Sequence, residues 1–134
     1  MDPLIFDTSV WISHLNGKTS KQSVALENYL LKAGPVFICS PIIQEILQGI
    51  RNESQFNNLK DLLLSLNILE LGEVRPYLLA ASLFRSLRSK GVTIRKSADA
   101  LIAIYAIEFG IALAHQDRDF DMIAKHTLLK VKKF

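Results

Sequence analysis

Leu4-Ile5-Phe6-Asp7-Thr8-Ser9-Val10-Trp11 is the stretch of sequence that decides the fold. Its first three residues form a short apolar run, and Asp7-Thr8-Ser9 ends that run with side chains that are preferred at helix N-termini. Val10, Trp11 and Leu15 then suggest a short helix ending near Gly17. The stretch therefore predicts a buried strand that leads directly into a helix, with a carboxylate at the junction.

The same alternation of apolar strand and helix continues to the C-terminus. Four more strands are predicted at residues 36–39, 68–71, 111–114 and 128–131. Six more helices are predicted at residues 26–33, 40–50, 56–66, 73–90, 97–110 and 118–125. We expect Ser40 to cap its helix with Pro41 at the first helical position, and the polar segment 16–23 to be the loosest part of the chain.

Uninterrupted apolar strands separated by helices are typical of a parallel sheet that is covered on both faces. Right-handed crossovers make such a sheet a doubly wound α/β sandwich. The chain has 134 residues, of which 49% are hydrophobic and 22% charged, and this is the size and mixture of a single domain. The sequence thus predicts one α/β domain over residues 1–134.

Composition also excludes several classes of protein. No run of 18 uncharged apolar residues is present, and the N-terminus carries an acid where a signal peptide would carry Lys or Arg. Cys39 is the only cysteine, so neither an internal disulfide nor a thiolate zinc site is expected. Glycine-rich nucleotide-binding motifs and a serine hydrolase elbow are absent. A cytoplasmic protein without a membrane segment is predicted.

Four acidic residues are predicted to meet at the carboxyl end of the sheet, where ligands of such folds bind. Asp7 follows the first strand, Asp117 follows the strand at 111–114 after two residues, Asp99 lies in the first turn of an apolar helix, and Glu45 lies in the first half of another. Each has an ordinary alternative explanation, as a helix cap, a helix-dipole partner or a solvated charge. Together they would repel one another unless cations neutralise them, and oxygen ligands suit Mg²⁺ or Mn²⁺.

Two residues near Asp117 leave alternatives open. Asp119 is either an additional metal ligand or the cap of a helix that begins near Phe120, whereas Asp121 is expected to face solvent. His115 either contacts a phosphate or the metal, or packs at the end of a strand.

Basic residues are concentrated in one part of the chain. Between Glu73 and Asp99 there are six basic residues and no acid. This cluster favours a polyanionic partner such as RNA, and the alternative is a solvated helix face. The candidate RNA-binding residues are Arg85, Arg88, Lys90, Arg95 and Lys96. Without the four candidate acids, nine acidic residues face 16 basic ones, so a metal-loaded protein would attract phosphate.

Four motifs in order give the chain a resemblance to a known family. They are Leu-Ile-Phe-Asp7-Thr-Ser-Val-Trp-Ile, Ser40-Pro-Ile-Ile-Gln-Glu45-Ile-Leu-Gln-Gly49, Ser97-Ala-Asp99-Ala-Leu-Ile-Ala-Ile-Tyr-Ala and Gln116-Asp117-Arg-Asp119-Phe120. In this order and spacing the chain resembles the PIN-domain ribonucleases, specifically the VapC-type toxins of bacterial and archaeal toxin–antitoxin pairs. The resemblance spans essentially the whole chain, and it departs at His115, where the family often has Thr or Ser.

The resemblance implies a three-layer sandwich around a central parallel sheet of four to five strands flanked by helices. It implies that Asp7, Glu45, Asp99 and Asp117 hold one or two Mg²⁺ or Mn²⁺ ions, with Thr8 or Ser9 in support. The implied activity is metal-dependent endoribonuclease cleavage that leaves 5′-phosphate and 3′-hydroxyl ends. The implied partners are RNA, a small antitoxin that blocks the acidic site, and a second copy of the chain in a homodimer.

Two alternative functions use the same architecture. One is a signalling domain that accepts phosphate on Asp7, although the acidic pair and the lysine that such domains need are missing. The other is a non-catalytic RNA-binding domain, since a fold does not fix a function. Loss of a site acid would favour the second alternative, and all four acids are present.

Overall fold

The computed structural model describes residues 1–134, with four strands and seven helices. Their bounds, in chain order, are β1 (Leu4–Phe6), α1 (Thr8–Leu15), α2 (Lys21–Leu31), β2 (Val36–Cys39), α3 (Ser40–Gln48), α4 (Glu53–Leu64), β3 (Asn67–Leu69), α5 (Arg75–Ser89), α6 (Ser97–Phe109), β4 (Ala112–Ala114) and α7 (Arg118–His126).

The four strands form one parallel sheet in the order β3-β2-β1-β4. Leu4 is in register with Val36 of β2 on one side and with Ala112 of β4 on the other. The chain runs outward from β1 to β3 and then returns to place β4 on the opposite side of β1. The order of the strands therefore reverses between β1 and β4, and sheets of this kind bind ligands at the carboxyl end of such a point.

The core fills both faces of this sheet, as the uninterrupted apolar strands predict. All three residues of β1 are buried, and α6 buries every residue from Ile102 to Ala106. A helix that is apolar on all sides has to be surrounded by other elements, and α6 packs against α5, α3, α7 and β4. Gly110 ends α6 in the left-handed conformation that glycine adopts without strain. The predicted parallel α/β sandwich is confirmed.

The predicted strand at 128–131 is wrong, because only Val131 pairs with the sheet, through a single parallel bridge to Leu113. Leu128 is 84% exposed, so the segment lacks the run of buried apolar residues that a strand of this sheet needs. The sheet has four strands, the lower of the two predicted numbers.

Two helix starts also differ from their predictions. Cys39 occupies the cap position of α3 without a side-chain hydrogen bond, so Ser40 is the first helical residue and Pro41 the second. The segment 16–23 is better ordered than expected, since Ser20 and Ser23 form a reciprocal capping box that starts α2 at Lys21. None of the helices is long and apolar enough to cross a membrane.

Candidate metal centre

The carboxyl end of the sheet carries the four predicted acids. Asp7 directly follows β1, and Asp117 follows β4, the strand that pairs with β1. Glu45 lies on α3, which begins where β2 ends, and Asp99 lies in the first turn of α6. The topology therefore brings residues that are up to 110 positions apart to the carboxyl end of the sheet.

Asp99 is the most unusual of these acids. Only 4% of the residue is exposed, and its buried Oδ2 has no hydrogen-bond partner. Burial first, and then the negative charges of Asp7, Asp117 and Glu45, raise the pKa of Asp99 to about 7, while Lys96 opposes this rise. A buried carboxylate oxygen without a partner is costly unless a cation binds it.

Asp7 is held in place by the start of α1. Its Oδ2 accepts hydrogen bonds from the Ser9 backbone N–H at 3.1 Å and from the Ser9 hydroxyl at 2.7 Å, so Asp7 is the N-cap of this helix. The Ser9 Oγ in turn accepts the backbone N–H of Gln116 at 3.2 Å. Ser9 thus connects Asp7 to the loop after β4.

Glu45 is oriented by Thr8, whose hydroxyl donates to Glu45 Oε1 at 2.8 Å. Thr8 is 8% exposed and Glu45 is half-buried, so this hydrogen bond is partly buried. Burial, with smaller contributions from the charges of Asp7 and Glu45, raises the pKa of the Cys39 thiol to about 12, against a backbone hydrogen bond involving Ile42. Because Thr8 directly follows Asp7 in the chain, its hydrogen bond brings Glu45 of α3 close to the carboxyl end of β1.

Asp117 and Asp119 lie at the start of α7 and form an acidic cluster with Asp99. Asp117 caps α7 by accepting the Asp119 backbone N–H on Oδ1 at 3.0 Å, so the prediction that Asp119 caps the helix is wrong. One carboxylate oxygen from each of Asp99, Asp117 and Asp119 lies within 4.8 Å of the other two. Three carboxylate oxygens at this spacing can surround a single hard cation.

Arg95 lies within this cluster, although the sequence assigned it only to RNA binding. Its Nη2 donates to Asp117 Oδ1 at 3.0 Å and its Nε donates to Asp119 Oδ2 at 3.1 Å. The other predicted RNA-binding residues are not paired with acids. Arg85 lines a groove that also contains Glu45, Arg88 stacks over Phe84 of its own helix, and Lys90 and Lys96 flank helix ends.

His115 packs at the end of β4, as one of its two interpretations predicted, and only 7% of it is exposed. Its Nδ1 accepts the Asp117 backbone N–H at 3.0 Å, and its Nε2 lies 3.1 Å from Asp121 Oδ1. The Asp121 side chain is 40% exposed, so it faces solvent as predicted, and it also accepts from Lys133 Nζ at 2.9 Å. The ring takes the acceptor position that a Thr or Ser hydroxyl would occupy at this point of a turn.

Sequence reasoning missed a polar connection formed by the Gln116 side chain. Its amide oxygen accepts from the Ser13 hydroxyl at 2.7 Å, and its amide nitrogen donates to Ser20 Oγ. This amide joins α1 to the first turn of α2 beside the acidic cluster. No spacing signal marks it, because Ser13 and Gln116 are 103 residues apart.

A parallel α/β sheet with a cluster of acids at its carboxyl end defines this chain as a candidate metal-binding α/β protein. Comparison with known proteins then identifies its family. The PIN domain family matches residues 4–126, and the chain belongs to this family. The chain is 33% identical over 132 residues to the protein named ribonuclease VapC11 of Mycobacterium tuberculosis and to that named VapC ribonuclease Mb1587 of Mycobacterium bovis. Each alignment covers 98% of both chains.

Solved structures support the fold. The crystal structure of DNA-bound VapBC from Salmonella typhimurium aligns with a TM-score of 0.74 at 18% identity, covering 98% of both chains. The crystal structure of VapBC2 from Rickettsia felis, bound to a DNA fragment from its promoter, aligns with a TM-score of 0.73 at 22% identity, also covering 98% of both. The PIN-like architecture predicted from the four motifs is confirmed.

Proposed function

We propose that this protein is a divalent-metal-dependent endoribonuclease of the VapC toxin class. The observation that carries the proposal is the buried, unpartnered Oδ2 of Asp99, a residue that shares an acidic cluster with Asp117 and Asp119. Membership of the PIN family and the ribonuclease names of relatives at 33% identity support the activity.

The residues at the carboxyl end of the sheet fit a Mg²⁺ or Mn²⁺ ion. Asp7, Glu45, Asp99 and Asp117 would hold the metal, with Asp119 as a further candidate ligand. Carboxylate oxygens are the ligands that these hard cations prefer, and no thiolate or imidazole set competes for a softer metal. When bound, the metal would neutralise charge on the phosphate and lower the pKa of coordinated water.

The protein's own groups prepare this arrangement. Thr8 and Ser9 donate to one oxygen each of Glu45 and Asp7, which leaves the second oxygen of each carboxylate without a bond from the protein. His115 holds the backbone of Asp117, and Lys96 offsets part of the negative charge around Asp99. Arg85, Arg88, Lys90, Arg95 and Lys96 are proposed to attract the RNA backbone.

Two partners are proposed besides RNA. The aligned VapBC structures support a small antitoxin as the inhibitory partner. A homodimer would place two acidic sites on one particle. With RNA as the substrate, the cytoplasm is the proposed location. The phospho-acceptor alternative is not favoured, since Asp7 is 5% exposed and its Oδ2 already accepts two hydrogen bonds from Ser9.

The test is cleavage of total cellular RNA by the purified, antitoxin-free protein with Mg²⁺, with Mn²⁺ and with EDTA. We expect discrete cuts that require metal and leave 5′-phosphate ends. Asp7→Asn and Asp99→Asn, purified in the same way, should produce no cuts, which controls for contaminating nucleases. Equal cleavage by Asp99→Asn and the wild-type protein would contradict the proposed site.

A further inference from the structure

The guanidinium of Arg95 occupies the open side of the acidic cluster. Its Nη2 and Nε bond to Asp117 Oδ1 and Asp119 Oδ2 at 3.0 and 3.1 Å, and its backbone N–H approaches the same Asp119 oxygen at 3.4 Å. The Arg95 side chain is 62% exposed, whereas the two carboxylates are 16% and 12% exposed. Arg95 thus reaches from solvent into a nearly buried pair of acids.

These two acids are also members of the group whose oxygens lie within 4.8 Å of each other around Asp99. A divalent cation bound there and the guanidinium would both be positive charges on the same carboxylates. Asp117 Oδ1 already accepts the Asp119 backbone N–H as well, so this oxygen has little capacity left while Arg95 is bound. The ion pair and metal coordination through that oxygen are therefore competing arrangements.

We propose that Arg95 is a built-in counter-ion of the metal-free protein, which holds Asp117 and Asp119 until a divalent cation displaces it. The proposal rests on the proposed metal site and goes beyond it by assigning a residue that opposes metal binding. Displacement needs only rotation of an exposed side chain, since the guanidinium contributes no hydrogen bond to any other residue of the protein. The backbone of Arg95 stays in place and keeps its weaker contact with Asp119.

A variant without this guanidinium distinguishes two possible roles of Arg95, as a counter-ion of the acids or as a residue that positions them for metal binding. A positioning residue stabilises the site in its metal-binding form, so its loss weakens metal affinity. A counter-ion competes with the metal, so its loss strengthens metal affinity while it destabilises the metal-free protein, whose nearly buried acids then repel one another. Opposite changes in affinity and in stability are the signature of the counter-ion role.

The experiment is a calorimetric titration of Mn²⁺ into the metal-free full-length protein and into Arg95→Gln. We expect Arg95→Gln to bind Mn²⁺ at least about fivefold more tightly, which corresponds to about 1 kcal/mol at 25 °C. The same variant should unfold at a lower temperature in EDTA. Arg95→Lys, which keeps the charge without the forked geometry, should give an affinity between the two.

The control variant is Arg75→Gln. Arg75 is an equally exposed arginine, 60% accessible, that forms an ion pair with Glu108 at 2.6 Å and belongs to no acidic cluster. We expect this variant to bind Mn²⁺ with wild-type affinity, which shows that loss of one positive charge elsewhere does not change the titration.

Unchanged or weaker Mn²⁺ binding by Arg95→Gln overturns the counter-ion role and leaves the proposed function intact. Absence of Mn²⁺ binding in both proteins at millimolar concentration overturns the proposed metal site as well. If Arg95→Gln does not fold, the Nε–H resonance of Arg95 is followed in the wild-type protein by NMR as Mg²⁺ is added. Its shift to the values of a solvent-exposed arginine supports displacement, and an unchanged resonance at saturating Mg²⁺ overturns it.

Discussion

At the scale of single residues, Asp99 is the acid whose negative charge is least compensated by the protein. Asp99 is nearly fully buried, one of its oxygens lacks a partner, and three other carboxylates raise its pKa after burial has done so. Ser9 donates to Asp7 and Thr8 donates to Glu45, so neither of these donors offsets the negative charge of Asp99. The free energy of folding should therefore depend on the protonation of Asp99.

The first prediction is a pH-dependent stability of the metal-free protein. The pKa of Asp99 is about 7 in the folded protein and near 3.8 in the unfolded chain. Between these values the folded protein binds a proton that the unfolded chain releases, so stability should fall as pH rises from about 4 to about 7. In EDTA near pH 8, Asp99→Asn should unfold roughly 2 to 8 °C above the wild-type protein, which corresponds to about 1 kcal/mol.

Thermal unfolding in EDTA, followed by circular dichroism at several pH values, measures this effect. The difference between the two proteins should shrink towards pH 4, where both side chains are neutral. Asp2→Asn is a suitable control, because Asp2 is exposed and lies outside the acidic cluster. If the stability advantage of Asp99→Asn is the same at all pH values, the carboxylate charge is not its cause.

The second prediction concerns the Thr8 hydroxyl. Thr8→Val removes the donor to Glu45 Oε1 with little change in volume, whereas Thr8→Ser keeps the donor. Groups that orient metal ligands typically contribute 10- to 100-fold to affinity or activity. We expect Thr8→Val to lose about that factor in Mn²⁺ affinity and Thr8→Ser to lose much less. Equal losses in the two variants would assign the effect to packing.

The sequence patterns predicted the four acids, but they did not predict that Arg95 forms ion pairs with Asp117 and Asp119. Asp7 follows its apolar run directly, Asp117 follows its run after two residues, and Asp99 lies on a helix that has to be buried, so their common location follows from local patterns. Arg95 and Asp117 are 22 positions apart, in different connections of the chain. A basic residue in a basic stretch has no local signal that distinguishes an internal ion pair from a solvated side chain.

At the scale of elements, the connection from β4 to α7 fixes the direction in which Asp117 points. His115 accepts the Asp117 backbone N–H, and Asp117 accepts the N–H of Asp119, so two consecutive side-chain-to-backbone bonds define this turn. The His115 ring also packs at 5.3 Å from the ring centre of Phe120, which belongs to α7. The imidazole therefore combines the acceptor of a hydroxyl with the packing of an aromatic residue.

The third prediction follows from this turn. His115→Ala leaves the Asp117 N–H without its acceptor and removes the contact with Phe120, so we expect a loss of about 1 to 3 kcal/mol in stability. His115→Asn supplies an amide oxygen near the position of Nδ1 and should recover part of this loss together with Mn²⁺ affinity. Urea unfolding and Mn²⁺ titration measure the two quantities. If His115→Asn and His115→Ala have the same stability and the same Mn²⁺ affinity, the hydrogen-bond acceptor at position 115 has no role.

Element types could be predicted from periodicity, but their ends depended on contacts that local sequence does not contain. The helix after β2 begins at Ser40 because Cys39, a buried strand residue, takes the cap position. Leu128 to Val131 has the composition of a strand, yet only Val131 reaches the sheet. Pairing of an edge strand is a tertiary property, and four residues at the end of a chain give no periodicity to test.

At the scale of the whole molecule, the charge distribution sets how RNA would approach. The net charge of +3 includes the negative charges of the acidic cluster, so the surface outside the cluster is more basic than this total. Arg85 lies in a groove of about 720 Å³ between α3, α5 and α6, which also contains Glu45. Arg85 is therefore the cation of the groove that contains the predicted metal ligand Glu45.

The fourth prediction is a change in the salt dependence of RNA binding. With catalytically silent Asp7→Asn as the background, Arg85→Gln should reduce the slope of log affinity against log salt by about 0.7, the value for one phosphate contact on single-stranded RNA. Lys32→Gln is the matched control, since Lys32 is exposed and lies between α2 and the start of β2, at the amino end of the sheet. Equal slopes for the two variants would show that the groove does not contact the RNA backbone.

The order of the strands also has a consequence for synthesis of the chain on the ribosome. β1 emerges early, but its neighbour β4 and the adjoining Asp117 are made only after most of the 134 residues have been translated. Until then β1 has one unpaired edge and Asp7, Glu45 and Asp99 lack their fourth partner. Prematurely terminated products that stop before residue 112 therefore cannot assemble the cluster. Since the proposed site includes Asp117, we expect nascent chains to be inactive as a nuclease until translation is almost complete.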